Sequence, residues 1–90
     1  MGEMARLISA KLGEAFRPTR LELVDDSGRH VGHAGAHPDG ESHFSLLIEA
    51  PAFDGMSRVA RQRAVYAALK DELAGKLHAL SVKAYAPGEL

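Results

Sequence analysis

Five histidines and no cysteine set the chemistry that this chain can offer, so any soft-metal binding falls to imidazole. His30, His33 and His37 follow one another at three- and four-residue intervals, a spacing that suits a private zinc or nickel site only on a helix. Gly28, Gly32, Gly35 and Gly40, with Pro38, predict an irregular loop there instead, and without a fixed backbone the spacing loses its meaning. His43 immediately precedes the apolar Phe44 in an alternating run and points away from it, as a surface residue or an outer-shell neighbour of a site. His78 stands at the entrance of a strand. There an imidazole can ligate a metal, or it can cap a helix C-terminus or bond a backbone carbonyl.

Cationic chemistry is concentrated in Arg58, Arg61 and Arg63, which with Lys70 give one helix a basic N-terminal half that can meet phosphates. Positive charge there opposes the helix macrodipole and hints at a purpose, although a solvated face balanced by nearby acids is an equally ordinary reading. Gly32-His33-Ala34-Gly35 spells G-x-x-G, the nucleic-acid clamp of KH domains, but it lies between two strands where the clamp belongs between two helices. No nucleophile with a base, and no paired carboxylates, stand in a recognisable motif. Ser42 and His43 are adjacent and face opposite sides of a strand, the wrong geometry for a dyad. No catalytic machinery is expected.

The elements that must position these residues are legible from periodicity. Met4, Leu7, Ile8, Leu12, Ala15 and Phe16 recur at helical intervals and predict a first helix with one apolar face, stopped by Pro18. Thr19 to Asp25 reads as a half-buried strand followed by turn chemistry at Asp25-Asp26-Ser27-Gly28. After the loop over residues 28–42, Phe44, Leu46 and Ile48 alternate with His43, Ser45 and Glu49 in a second strand that pairs with the first as an antiparallel hairpin. Ser57 is placed to cap a long helix whose buried face carries Val65, Ala68, Leu69 and Leu73 and which Gly75 ends. His78 to Tyr85 forms a last strand, and Pro87-Gly88 releases a tail over residues 86–90. The order predicts a single α+β domain over residues 1–90, with both helices on one face of a small mixed sheet.

Bulk properties bound the function. At 46% hydrophobic and 26% charged residues the chain is a folded globular protein of one core. A formal net charge of -1 and a pI near 6.5 supply no global field for nucleic acid or anionic lipid, which argues against tight, sequence-independent DNA binding and leaves sequence-specific binding open. The absence of cysteine is compatible with a reducing compartment. The start, with Glu3 and no continuous apolar core, reads as neither a signal peptide nor a membrane span, so a cytoplasmic location is expected.

The run from Phe53 to Leu73 resembles the signature of the BolA family, roughly F-x-G-x-x-x-x-x-R-H-R-x-V-Y-x-x-L-x-x-E-L, with Gln62 where the family usually has histidine. His78-Ala79-Leu80 matches the family's H-A-L, and Asp25 to His30 and Gly40 to Phe44 resemble the two ends of its hairpin loop. The resemblance implies an α-β-β-α-β domain related to the class II KH fold. It also implies an adaptor that pairs with a monothiol glutaredoxin to hold a shared [2Fe-2S] cluster in iron–sulfur trafficking or iron sensing. The family's two ligand positions fall on His78 and on a loop residue that maps best to His30, with His33 competing; a glutaredoxin cysteine and a glutathione thiol complete the set. Mixed imidazole and thiolate ligation of such clusters has precedent. In some members the family acts in transcription, which makes a DNA-binding regulator of stress or morphology genes the alternative, with Arg58, Arg61 and Arg63 as its contacts. A metal-free interaction module linked to growth or stress is the third reading.

Overall fold

A computed structural model describes residues 2–25, 43–75, 77 and 79–90. Their order is α1 (Glu3–Phe16), β1 (Arg20–Asp25), β2 (His43–Glu49), a single 3-10 turn (Pro51–Phe53), α2 (Arg58–Ala68), α3 (Lys70–Ala74) and β3 (Ala79–Tyr85). The strands form one mixed sheet in the order β1-β2-β3. β1 and β2 pair antiparallel with Leu23 opposite Leu46, whereas β3 lies parallel to β2 with Val82 opposite Leu46. Because a parallel neighbour needs a crossover, the chain between β2 and β3 must climb over the sheet, and α2 and α3 are that crossover.

Alternation along β2 decides which face of the sheet is covered. Phe44, Leu46 and Ile48 are buried, while His43, Ser45, Leu47 and Glu49 are half-buried on the opposite face. The helices pack on the first face, where Ile8 and Leu12 of α1 and Val65 and Leu69 of the crossover close the core over β2. Phe53 is wholly buried, and its ring lies 5.0 Å from that of Phe16, so the turn after β2 is held against the end of α1. The predicted α+β architecture is therefore observed.

Two local details differ from the sequence expectations. In α1 the buried line is Ala5, Ile8 and Leu12, while Leu7 is 41% exposed and Ala15 is exposed. The small sheet covers only the middle of the apolar stripe and leaves its flanks to solvent. The same helix ends ahead of Pro18, as predicted: Arg17 turns into the left-handed region at φ 47° and donates its N–H to the Gly13 carbonyl. The second helix is broken at Leu69. Its N–H is shared between the Val65 and Tyr66 carbonyls at 3.2 Å each, and α3 continues to Gly75 from that three-centre bond. Among the described residues no helix is long and apolar enough to cross a membrane.

Candidate functional site

Helix α2 begins as its sequence requires. Ser57 adopts extended backbone, and its hydroxyl accepts the Ala60 N–H at 3.1 Å, which satisfies one of the orphan donors of the first turn. From that start, 3.6 residues per turn place Arg61 on the same side as Val65 and Leu69. Its side chain is accordingly buried, with the residue only 7% exposed.

All three guanidinium nitrogens of Arg61 donate inside the molecule. Nε donates to the Met56 carbonyl at 3.0 Å and Nη1 to the Ala84 carbonyl at 3.1 Å. Nη1 and Nη2 together grip both oxygens of the Glu89 carboxylate, the second at 3.0 Å, in a forked pair. The same carboxylate accepts the Ala86 N–H at 2.8 Å. The guanidinium beside Glu89, the Ala86 amide and the charge of Arg58 hold the Glu89 carboxyl at about 2, against an ordinary 4.5. Glu89 in turn keeps the Arg61 guanidinium more firmly protonated than usual, chiefly through their hydrogen bond. Arg61 thus ties α2, β3 and the C-terminal turn together.

This corrects the reading of Arg61 as a nucleic-acid contact beside Arg58 and Arg63 in a basic N-terminal half of the helix. Arg61 belongs to the interior because it repeats the spacing of Val65 and Leu69, and its charge is compensated there. Arg58 and Arg63 are exposed, but five residues along a helix separate them by well over a quarter turn, so they serve different flanks. The positive charge near the start of α2 that seemed opposed to the macrodipole is answered at Arg61 by Glu89, with a smaller contribution from Asp54.

A second polar contact joins the helices. Glu72, 7% exposed, receives the Lys11 ammonium at 2.7 Å on Oε2, while its Oε1 has no hydrogen-bond partner. The Lys11 ammonium is held more firmly protonated by the Glu72 hydrogen bond, against the opposing effect of desolvation. The Glu72 backbone carbonyl accepts from both Gly75 and Leu77, so this residue also terminates α3 and aims the chain into β3. Helical spacing did not single it out, since a glutamate is expected at the surface.

Among the predicted metal ligands, His30, His33 and His78 all lie outside the described residues, as do His37 and the G-x-x-G stretch. His43 is described, half-buried on the sheet face opposite Phe44, as the alternation predicted. Among the described residues no group of three or more His, Asp or Glu side chains converges on a point that could hold a metal ion. The donor set itself is informative. A chain without thiolate could offer an iron–sulfur cluster imidazole nitrogen but no cysteine sulfur, which would fit a part share of the ligands and leave the sulfur ligands to another molecule.

These features define a small α+β module whose signature helix is tied by Arg61 to the end of the chain. A family model described as BolA-like protein matches residues 12–89. The uncharacterized protein in the cobS 5' region of Sinorhizobium sp is 51% identical over 87 residues, covering 96% of this chain and 94% of that one. BolA-like protein 1 of Mus musculus is 41% identical over 88 residues, which span 98% of this chain and 61% of the mouse protein. The solved BolA domain of SufE1 from Arabidopsis thaliana superposes with a TM-score of 0.89 at 43% identity, covering 100% of this chain and 99% of that structure. The chain belongs to the BolA-like family.

Proposed function

We propose that this chain is a non-enzymatic adaptor that pairs with a monothiol glutaredoxin and contributes imidazole ligands to a shared [2Fe-2S] cluster, in iron–sulfur trafficking or iron sensing. The observation that carries the reading is the donor set, five histidines and no cysteine, on a chain of the BolA-like family. Such a chain needs a thiolate-bearing partner to complete four ligands, which is the role expected of a glutaredoxin cysteine and a glutathione thiol. His78 is the ligand assigned beyond α3, and His30, with His33 as its competitor, the ligand assigned from the segment between β1 and β2. A cluster bound in this way adds electron-accepting iron–sulfide chemistry; the chain's own share is to supply neutral imidazole nitrogen and a docking surface.

Visible circular dichroism tests the assignment. The purified chain, a monothiol glutaredoxin, glutathione and iron–sulfide should give a heterocomplex spectrum distinct from that of glutaredoxin alone. That spectrum should be lost or altered by His78→Ala, and by one of His30→Ala and His33→Ala. A heterocomplex spectrum unchanged by His78→Ala sinks the ligand assignment.

A second reading, a DNA-binding regulator, is favoured by one feature, the exposed Arg58 and Arg63 on α2. Salt-dependent, sequence-selective gel shifts abolished by Arg58→Ala with Arg63→Ala support it, and no shift at low salt counts against it. Arg61 is unsuited to that test, because its replacement also releases Glu89.

A further inference from the structure

β3 is an outer strand, and its outward-facing peptide groups are treated unevenly. Backbone groups alternate along a strand, so the groups at Leu80, Val82, Ala84 and Ala86 face away from β2. The Tyr85 carbonyl, of opposite parity, meets Ala50 on the β2 side. Helix α2 and the C-terminal turn cap about half of that outer row, the carbonyls of Leu80 and Ala84 and both groups of Ala86. The Tyr66 hydroxyl donates to the Leu80 carbonyl at 2.9 Å, Arg61 donates to the Ala84 carbonyl, and Glu89 accepts from Ala86. No described side chain caps Val82, which lies between them.

The gap at Val82 coincides with an opening between α2 and β3. It is a groove of about 340 Å³ with Arg58, Val59, which is 55% exposed, and Gln62 on its helical wall; Lys83 also lines it, but as the register partner of Leu47 it directs its side chain to the sheet face opposite α2. Neither cation makes an ion pair among the described residues. A smaller depression of about 300 Å³ continues from it past Arg58 and Ala84, and there the chain places its own Glu89 carboxylate on Arg61. This end of the groove therefore already accommodates a carboxylate, and Arg58 contributes to the field that stabilises it.

We propose that the α2–β3 groove binds an acidic, extended polypeptide segment of a partner protein. The segment pairs one residue's main chain with the N–H and C=O of Val82 and sets a carboxylate against Arg58, with Lys83 on the other side of the strand edge adding to the positive field. The free peptide group distinguishes this occupant from nucleic acid, since strand addition uses a ladder that only a polypeptide supplies. With the Leu80 and Ala84 carbonyls capped, Val82 is the one residue of the row that offers both N–H and C=O, so recognition is short and the affinity modest. The caps also keep the edge from pairing with a second copy over its whole length. Recognition here rests on Val82, Arg58 and Lys83 and calls on no histidine, so this surface stands or falls separately from the glutaredoxin reading.

The test is a ¹H–¹⁵N titration of the full chain with an acetylated, amidated (Glu-Val)4 peptide. The Val82 amide should move downfield as it gains a hydrogen bond, with companion shifts at Val59, Gln62 and Lys83. Arg58→Glu with Lys83→Glu should weaken binding about tenfold, the sum expected of reversing two exposed charges. A second measurement does not depend on the variant folding: a backbone N-methylated form of the peptide should also weaken about tenfold, because it loses its share of the main-chain pair. The proposal is overturned by a Val82 amide that does not respond, by an equal response to (Lys-Val)4, or by an oligodeoxythymidylate that occupies these residues while the acidic peptide does not.

Discussion

Glu89 lies one residue from the end of the chain, yet its carboxylate is the counter-charge around which Arg61 is buried. Its carboxyl is held at about 2 in the folded protein against an ordinary 4.5, first by the Arg61 hydrogen bond, then by the Ala86 amide, with partial desolvation opposing both. A carboxyl whose folded value is lowered contributes stability that is fully present above its unfolded value. That contribution is lost as pH falls toward the folded value. The Arg61–Glu89 pair therefore acts above about 4.5 and fades progressively down to about 2. A carbon-detected NMR titration of the Glu89 side chain should give its midpoint near 2, and in Arg61→Gln the midpoint should climb toward 4.5 while remaining below it, because Ala86 still donates. Urea unfolding supplies the linked measurement. Glu89→Gln should be less stable than the parent above pH 4.5, and the gap between them should close as pH approaches 2. A Glu89 midpoint near 4.5 in the parent, or a stability gap that does not change with pH, refutes the reasoning.

Other perturbations read the scaffold on which the candidate sites depend. Phe53→Ala removes a wholly buried ring from between β2 and Phe16, and denaturant unfolding should show a loss of about 3–5 kcal/mol. Ser57→Ala leaves the Ala60 N–H without its cap and should cost about 1 kcal/mol, with Ser57→Asp close to the parent. Tyr66→Phe uncovers the Leu80 carbonyl at the β3 edge, which should cost about 1 kcal/mol in unfolding and strengthen strand-adding peptides at that edge.

How much of this was readable in advance differs element by element. Phe44, Leu46 and Ile48 declared the buried face of β2, because a period of two leaves a strand no other way to cover them. Ser57 announced the start of α2, because capping is a matter of three consecutive peptide units. The motif from Phe53 to Leu73 pointed to the family that the comparisons establish. Arg61 was misplaced, since residue type argued for solvent while the 61, 65, 69 spacing argued for the interior, and only the second was decisive. That spacing was available in the sequence. The acid that makes such burial tolerable was not, because Glu89 meets Arg61 across 28 positions.

The sequence by itself determined the order of elements, the alternating face of β2, the capped helix, the family pattern and a donor set limited to imidazole, all of which are local or compositional. Tertiary structure alone decided that β3 pairs with β2 and not with β1, that Lys11 of α1 meets the buried Glu72 of α3, and that Arg61, Ala84 and Glu89 converge on one point. It also decided which backbone groups of the β3 edge are capped and which face the groove. The physical reason is common to these cases. Periodicity states which side of an element seeks the core, but partners far apart in the chain are chosen by how the elements pack, and a buried charge or an open strand edge acquires its meaning only from what packing brings beside it.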